Sequence, residues 1–147
     1  MKIYITCPVR NATDKQRRYM EAYTKWLEEK GHEVHLPHRD TDQEDSALEI
    51  CMTNGAAIAM ADEIHVFYDP ASTGSHFDLG MIFALDQLEG RKKRIRVIQA
   101  DSGNKEGGKD GFIALLDQWM LLQNEHNTLY RFPAEAAELD FSIPFWT

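Results

Sequence analysis

The chain has 147 residues, of which 43% are hydrophobic and 27% charged, and its formal net charge at pH 7 is −8. A chain of this length is expected to form one domain, which buries roughly 70% of the surface exposed by the unfolded chain. The acidic balance argues against a nucleic-acid partner, which needs clustered Lys and Arg, and no apolar run approaches the roughly 20 residues that cross a bilayer.

The first predicted element is an apolar strand, KIYITCPV, which stops at Pro8. Since the N-terminus carries a single charge and then a strand-like run, we expect no signal peptide and a cytoplasmic location. The two cysteines, Cys7 and Cys51, are too few for a disulfide framework. Both have apolar neighbours and are expected to be reduced.

Helices and strands are then predicted to alternate along the rest of the chain. In order they are a helix over about 14–30, a strand HEVHLP, a polar loop HRDTDQED, a helix over about 45–60, a strand EIHVFY, a helix HFDLGMIFALDQLEG, a strand RIRVIQA, a loop DSGNKEGGKDG, a helix FIALLDQWMLLQNE and a possible last strand in the tail TLYRFPAEAAELDFSIPFWT. Gly31 and Gly90 are expected to end the first and third helices, and Asp45 or Ser46 to cap the second.

This alternation predicts βαβ units. We therefore expect an α/β fold over residues 1–147, a single-domain Rossmann-like (flavodoxin-like) parallel sheet of four or five strands with helices on both faces. Ligands of such open sheets bind beyond the carboxyl ends of the strands. Three polar stretches follow predicted strands, at residues 6–11, 38–45 and 69–78, and are expected to converge in one crevice.

The stretch STGSHFD, which follows the third strand, is unusually rich in groups that bind or react. Ser72, Thr73, Gly74 and Ser75 can hold a phosphate, because free N–H groups and the helix dipole attract anions at a helix N-terminus. The alternative is a helix cap, with Ser75 as N-cap and Asp78 three residues later. Composition does not choose between the two.

Other polar residues of these stretches are candidate contacts. His76 can bind phosphate or act as a general acid near neutral pH, or it can be a supporting residue of the cap. Arg10 and Asn11, after the first strand, are candidate ligand contacts. His32, His35 and His38 hint at a metal site, but their positions in and around one strand do not let them converge. We expect neither a metal nor a cofactor.

IYITCPVRN and ADEIHVFYDPASTGSHFDLGMIFAL resemble segments of the nucleoside 2-deoxyribosyltransferase family, which includes the 2'-deoxynucleoside 5'-phosphate N-hydrolases. The resemblance covers the order of elements from residue 1 to about residue 99. The family pattern has a small polar residue, a Gly two positions on, a Glu four after that, and then Leu-Gly. These places are held here by Ser72, Gly74, Asp78, Leu79 and Gly80.

The resemblance implies that Asp78 is the nucleophile that attacks the sugar C1', that Tyr4 holds this carboxylate, and that Ser72 contacts a 5'-phosphate. A second family acid, which binds and protonates the base, falls 24 residues before the nucleophile, at Asn54. The chain thus departs from the pattern twice, with Asp for Glu and Asn for the acid. The shorter Asp withdraws the carboxylate by roughly 1.5 Å, and a displacement near 1 Å can cost about 100-fold in rate.

The function expected from the resemblance is cleavage or transfer at the N-glycosidic bond of a (deoxy)nucleoside or its 5'-monophosphate. The alternative is a non-catalytic nucleotide-binding module of the same fold, because both departures fall on the catalytic pair. A purely structural protein would leave the three convergent polar stretches unexplained. The aromatic tail, with Phe141, Phe145 and Trp146, and the oligomeric state of the family lead us to expect a homodimer or larger homo-oligomer.

Overall fold

The computed structural model describes residues 1–67, 69, 72–98 and 119–120. Several predicted features lie outside the described residues: the loop after the fourth strand, most of the last helix, the possible fifth strand and the aromatic tail. Trp119 and Met120 are helical, within the segment predicted as the last helix.

The four described strands form one parallel sheet, which confirms the predicted α/β fold. They are β1 (Lys2–Thr6), β2 (Glu33–His35), β3 (Glu63–Phe67) and β4 (Arg94–Ile98). Their spatial order is β2-β1-β3-β4, so β2 lies on one side of β1 and β3 on the other. The strand order therefore switches between β1 and β3. In open α/β sheets this switch opens a crevice at the carboxyl ends of the two strands.

Among the residues that the structure describes, four α-helices lie between these strands. They are α1 (Asp14–Glu29), α2 (Pro37–Asp40), α3 (Ala47–Met60) and α4 (Thr73–Phe83), and a π-helical turn (Ala84–Leu88) extends α4. Ser46 is the N-cap of α3 and forms a capping box with Glu49, so it is Ser46 rather than Asp45 that begins this helix. Gly31 and Gly90 follow the helical segments with positive φ angles of 89° and 65°.

The predicted polar loop after β2 is wrong in its first half, where α2 forms one helical turn. Pro37 occupies the first turn of α2, where its fixed φ angle suits a helix and its missing N–H is not needed. The Asp40 carboxylate accepts a hydrogen bond from the Leu36 amide at 2.8 Å and closes the turn. As a result β2 ends at His35, two residues earlier than predicted, and Thr41 lies buried below α3.

The predicted start of α4 is also wrong. Its N-cap is Ser72, whose hydroxyl accepts from the Ser75 amide at 3.3 Å, and Ser75 is a buried residue of the first turn. Two serines three residues apart both fit a cap, and the sequence pattern pointed to the wrong one. The segment from Thr73 to Ser75 is therefore the start of a helix rather than a loop, with Thr73 and Gly74 exposed and Ser75 buried.

Helices pack on both faces of the sheet, as predicted. On one face Ile3 and Ile5 pack against α1 in a cluster that includes Tyr19 and Tyr23. On the other face Tyr4 packs in a cluster formed with residues of α3 and α4. Because alternate residues of a strand point to opposite faces, Tyr4 is directed toward α4 and its Asp78.

Candidate active site

A cavity of about 340 Å³ lies at the carboxyl end of the sheet. All three polar stretches contribute to its lining, so they converge as expected. The lining residues are Cys7, Pro8, Val9, Arg10, Asn11, Pro37, Gln43, Ala47, Ile50, Cys51, Asn54, Asp69, Ser72, Thr73, Gly74 and Asp78. Its size and mixed lining, largely apolar with a few polar groups, are typical of a small-molecule site.

Asp78 is the carboxyl group placed deepest in this cavity. It is 6% exposed and lies on α4, where its Oδ2 accepts a hydrogen bond of 2.9 Å from the Tyr4 hydroxyl. Its Oδ1 receives no hydrogen bond from the described residues, and this atom is not completely buried. One carboxylate oxygen is therefore held by the protein and the other remains accessible.

Burial controls the electrostatics of this pair. Loss of solvent raises the pKa of Asp78 from 3.8 to about 7, although the hydrogen bond from Tyr4 acts in the opposite direction. Burial, and then the neighbouring carboxylate, raise the pKa of Tyr4, so its hydroxyl stays protonated and donates. At neutral pH Asp78 is thus poised between its two protonation states. Carboxyls with such perturbed pKa values in clefts are typical of functional sites.

The N-terminal end of α4 forms one rim of the cavity. Ser72 lines it while its hydroxyl lies 2.8 Å from the Ser75 hydroxyl, so one residue both caps α4 and lines the cavity. Gly74 is exposed, and a Cβ added there would meet no atom within 4 Å. The first turn of α4 is therefore uncovered at Gly74, at the end of a helix where backbone N–H groups and the helix dipole favour anions.

Two of the predicted substrate contacts, Ser75 and His76, do not line the cavity. Ser75 is 2% exposed and lies behind Ser72. The His76 ring is half-buried and its Nδ1 donates to the Ser72 carbonyl oxygen at 2.6 Å. Both residues are placed to hold Ser72, whereas the candidate ligand contacts Arg10 and Asn11 are exposed and line the cavity.

Asn54, which stands at the place of the second family acid, lies on α3 and lines the cavity with 9% exposure. Its Oδ1 accepts a hydrogen bond of 2.7 Å from the buried Thr41 hydroxyl, which in turn lies 2.9 Å from His35 Nε2. The His35 ring stacks on Tyr4, with a centroid separation of 5.4 Å and an interplanar angle of 15°. A continuous set of contacts thus joins Asn54 to the residue that holds Asp78.

Sequence reasoning missed the apolar wall of the cavity and two polar lining residues, Gln43 and Asp69. Ala47, Cys51 and Asn54 follow one another at helical spacing, so a cavity-facing stripe of α3 was readable once Asn54 was singled out. Gln43 lay inside a stretch expected at the crevice, but nothing in its local pattern set it apart from its neighbours.

The three histidines around β2 have separate partners. His32 Nδ1 lies 3.5 Å from the N-terminal amine, and His38 Nε2 lies 3.2 Å from a carboxylate oxygen of Glu21, while His35 contacts Thr41. Within residues 1–67, 69, 72–98 and 119–120, no group of three or more His, Cys, Asp or Glu is arranged to hold a metal ion. In the same part of the chain no helix is long and apolar enough to cross a membrane.

Comparison with known proteins finds no matching protein-family model, curated protein or solved structure. The described residues form an α/β fold with a candidate site, the cavity at the carboxyl end of its parallel sheet. A functional assignment therefore depends on the geometry of that site and on the sequence resemblance.

Proposed function

We propose that the protein cleaves or transfers at the N-glycosidic bond of a (deoxy)nucleoside or nucleoside 5'-monophosphate, with the Asp78 carboxylate as nucleophile. The observation that carries the proposal is the buried Asp78–Tyr4 pair, with one carboxylate oxygen accessible at the cavity. The resemblance of the chain to nucleoside 2-deoxyribosyltransferases, which place a Tyr and a carboxylate at these positions, supports the same reading.

The cavity offers separate surroundings for the three parts of a nucleotide. A 5'-phosphate fits the exposed first turn of α4, at Ser72 and Gly74. The sugar then lies over Asp78, and the base extends along the apolar stripe of α3 toward Asn54. A nucleoside would use the same arrangement without the contact to the first turn of α4.

The proposed reaction has two displacement steps. The free carboxylate oxygen forms a bond to C1' while the C1'–N bond breaks, through an oxocarbenium-like transition state. The electron pair of the C1'–N bond leaves with the base. Water or a second base then attacks C1' and breaks its bond to the carboxylate oxygen; the attacking group loses a proton to solvent, and the departed base takes one up from solvent. Asn54 can donate a hydrogen bond to the departing base but cannot transfer a proton as an acid.

The Tyr4→Phe variant tests the electrostatic part of this proposal. Removing the hydroxyl removes a hydrogen bond that lowers the pKa of Asp78, so that pKa rises above about 7 and less nucleophile is ionised at neutral pH. Base release at pH 7 is expected to fall about 10-fold and to recover as the pH is raised. The measurement is the pH dependence of kcat/KM. A uniform loss at every pH would show that Tyr4 does not act through Asp78 ionisation.

A second candidate function is a nucleotide-binding module without turnover. The specific observation in its favour is Asn54, since an amide stands where the resembled family has an acid and its oxygen is already bonded to Thr41. This function predicts saturable nucleotide binding with no free base after long incubation.

The experiment that tests the proposal is incubation with a panel of nucleosides and their 5'-monophosphates, followed by chromatography of the free bases. The panel includes ribo- and deoxyribo- forms, each with and without an added acceptor base. Release of base from at least one compound is expected. Exchange of bases in the presence of the acceptor indicates transfer, and release that ignores the acceptor indicates hydrolysis. Binding without release from any compound would contradict the enzyme and favour the binding module.

A further inference from the structure

Besides the exposed Asn11, two side-chain amides line the cavity, Gln43 and Asn54. Each has one end bound inside the protein, and neither has other hydrogen-bond partners among the described residues. The end without a partner differs between the two: it is the acceptor oxygen in Gln43 and the donor nitrogen in Asn54.

Gln43 presents an acceptor. Its Nε2 donates to the carbonyl oxygens of Pro37 at 3.1 Å and Thr41 at 3.0 Å, so both N–H groups of the amide are used. Carbonyl oxygens only accept hydrogen bonds, so the amide cannot be turned around without losing both contacts. Its Oε1 is left without a donor among the described residues.

Asn54 presents a donor, because its Oδ1 faces the Thr41 hydroxyl and accepts from it. The Thr41 hydroxyl has one hydrogen, which it donates to Asn54 Oδ1 at 2.7 Å, so the contact of 2.9 Å with His35 Nε2 must be a bond that the histidine donates. Burial lowers the pKa of His35, so a neutral ring with its proton on Nε2 meets this requirement. The Asn54 Nδ2 group is therefore the end that remains open.

We propose that Gln43 and Asn54 together recognise a ring edge that carries one hydrogen-bond donor and one acceptor, such as the unsubstituted base-pairing edge of a nucleobase, and that Thr41 is the positioning residue that fixes the Asn54 amide. The inference rests on the proposed function for the class of ligand and adds how the base is read. The neighbouring Pro37, Ala47 and Cys51 supply apolar surface for the faces of a flat ring.

Hydrogen-bonding sites of this kind discriminate strongly, because a ligand that lacks the matching group leaves a protein amide unpaired. Methylation of the base at its edge nitrogen removes the donor that Gln43 Oε1 requires. Methylation at a carbon away from that edge adds the same bulk and leaves the donor in place. The pair of ligands therefore separates hydrogen bonding from size.

The test is calorimetric titration of 2'-deoxyuridine 5'-monophosphate, its 3-methyl derivative and its 5-methyl derivative, together with 2'-deoxyinosine 5'-monophosphate and its 1-methyl derivative. The Asp78→Asn variant serves as host so that no ligand is consumed. Edge methylation is expected to weaken binding about 10-fold or more, and the 5-methyl group to have little effect. Equal affinity for edge-methylated and unmodified ligands, or no binding of either unmodified ligand at millimolar concentration, would overturn the proposal.

Three variants in the same host assign the roles. Gln43→Met keeps the length of the side chain without its amide, and should bind edge-methylated and unmodified ligands alike. Thr41→Val frees the Asn54 amide and should lower the affinity for the unmodified ligands. Thr41→Ser keeps the hydroxyl and should restore that affinity. Full discrimination in Gln43→Met, or identical behaviour of Thr41→Val and Thr41→Ser, would contradict the assigned roles.

These measurements separate the inference from the proposed function because they record binding alone. Discrimination without base release from the wild-type protein would leave the inference standing and reject the enzyme. Base release at equal rates from edge-methylated and unmodified nucleotides would support the enzyme and reject the inference.

Discussion

Replacement of Asp78 by Asn is expected to lower the rate of base release by about 1,000-fold or more, because the amide cannot form the bond to C1'. Asn has nearly the same size and its side-chain oxygen can still accept the hydrogen bond from Tyr4, so the cavity should keep its shape. Nucleotide affinity is therefore expected to survive the change. The measurements are kcat/KM by base release and Kd by calorimetry.

A matched control is available on the same helical segment. Asp86 lies in the π-helical turn after α4, is 9% exposed, and does not line the cavity. The Asp86→Asn variant should release base at close to the wild-type rate. Loss of activity in both variants would point to a general effect on the fold, and full activity in Asp78→Asn would remove this carboxylate from the mechanism.

The Asp78→Asn substitution is also expected to stabilise the folded protein at alkaline pH. The folded-state pKa of Asp78 lies at about 7, above its ordinary value of 3.8, so the neutral acid is favoured by the fold and ionisation opposes it. In the wild-type protein the contribution of Asp78 to the free energy of unfolding is fully present below about pH 4 and is lost as the pH rises to about 7. Above that pH the buried charge costs the folded state on the order of 4 kcal/mol, which Asp78→Asn avoids.

Urea denaturation of both proteins at pH 4 and pH 8 measures this difference. The free energies of unfolding should be nearly equal at pH 4, where both side chains are neutral, and Asp78→Asn should be more stable at pH 8. The comparison at pH 4 is the internal control for packing changes. A difference independent of pH would contradict the raised pKa. Together the two predictions describe a residue that is kept for chemistry at the expense of stability.

The fold was predictable because local signals and the global arrangement agree. The apolar alternation of β1, the glycine at the end of α1 and the Ser46 cap each mark an element without reference to the rest of the chain. The errors have a common cause in residues that fit two local structures. Pro37 can end a strand or begin a helix, and Ser72 and Ser75 can both cap α4; the choice depends on tertiary contacts.

The candidate site was predictable in its location but not in its chemistry. The order of the elements places three polar stretches at one edge of the sheet, and the resemblance singles out Asp78, Tyr4 and Asn54. Their pKa values and the orientation of the amides depend on burial and on partners distant in sequence, such as the bond between Tyr4 and Asp78. No local pattern reports such partners, and for this reason the hydrogen bonds that orient the Gln43 amide emerge only from the structure.

The most direct test of the central claim is the mass of the protein quenched by acid during turnover of the best substrate of the panel. The account predicts a fraction of molecules heavier by the sugar or sugar phosphate, with the added group located at Asp78 after proteolysis and absent from Asp78→Asn. An adduct on another side chain, or base release by a protein that carries sugar at no time point, would contradict a nucleophilic role for this carboxylate.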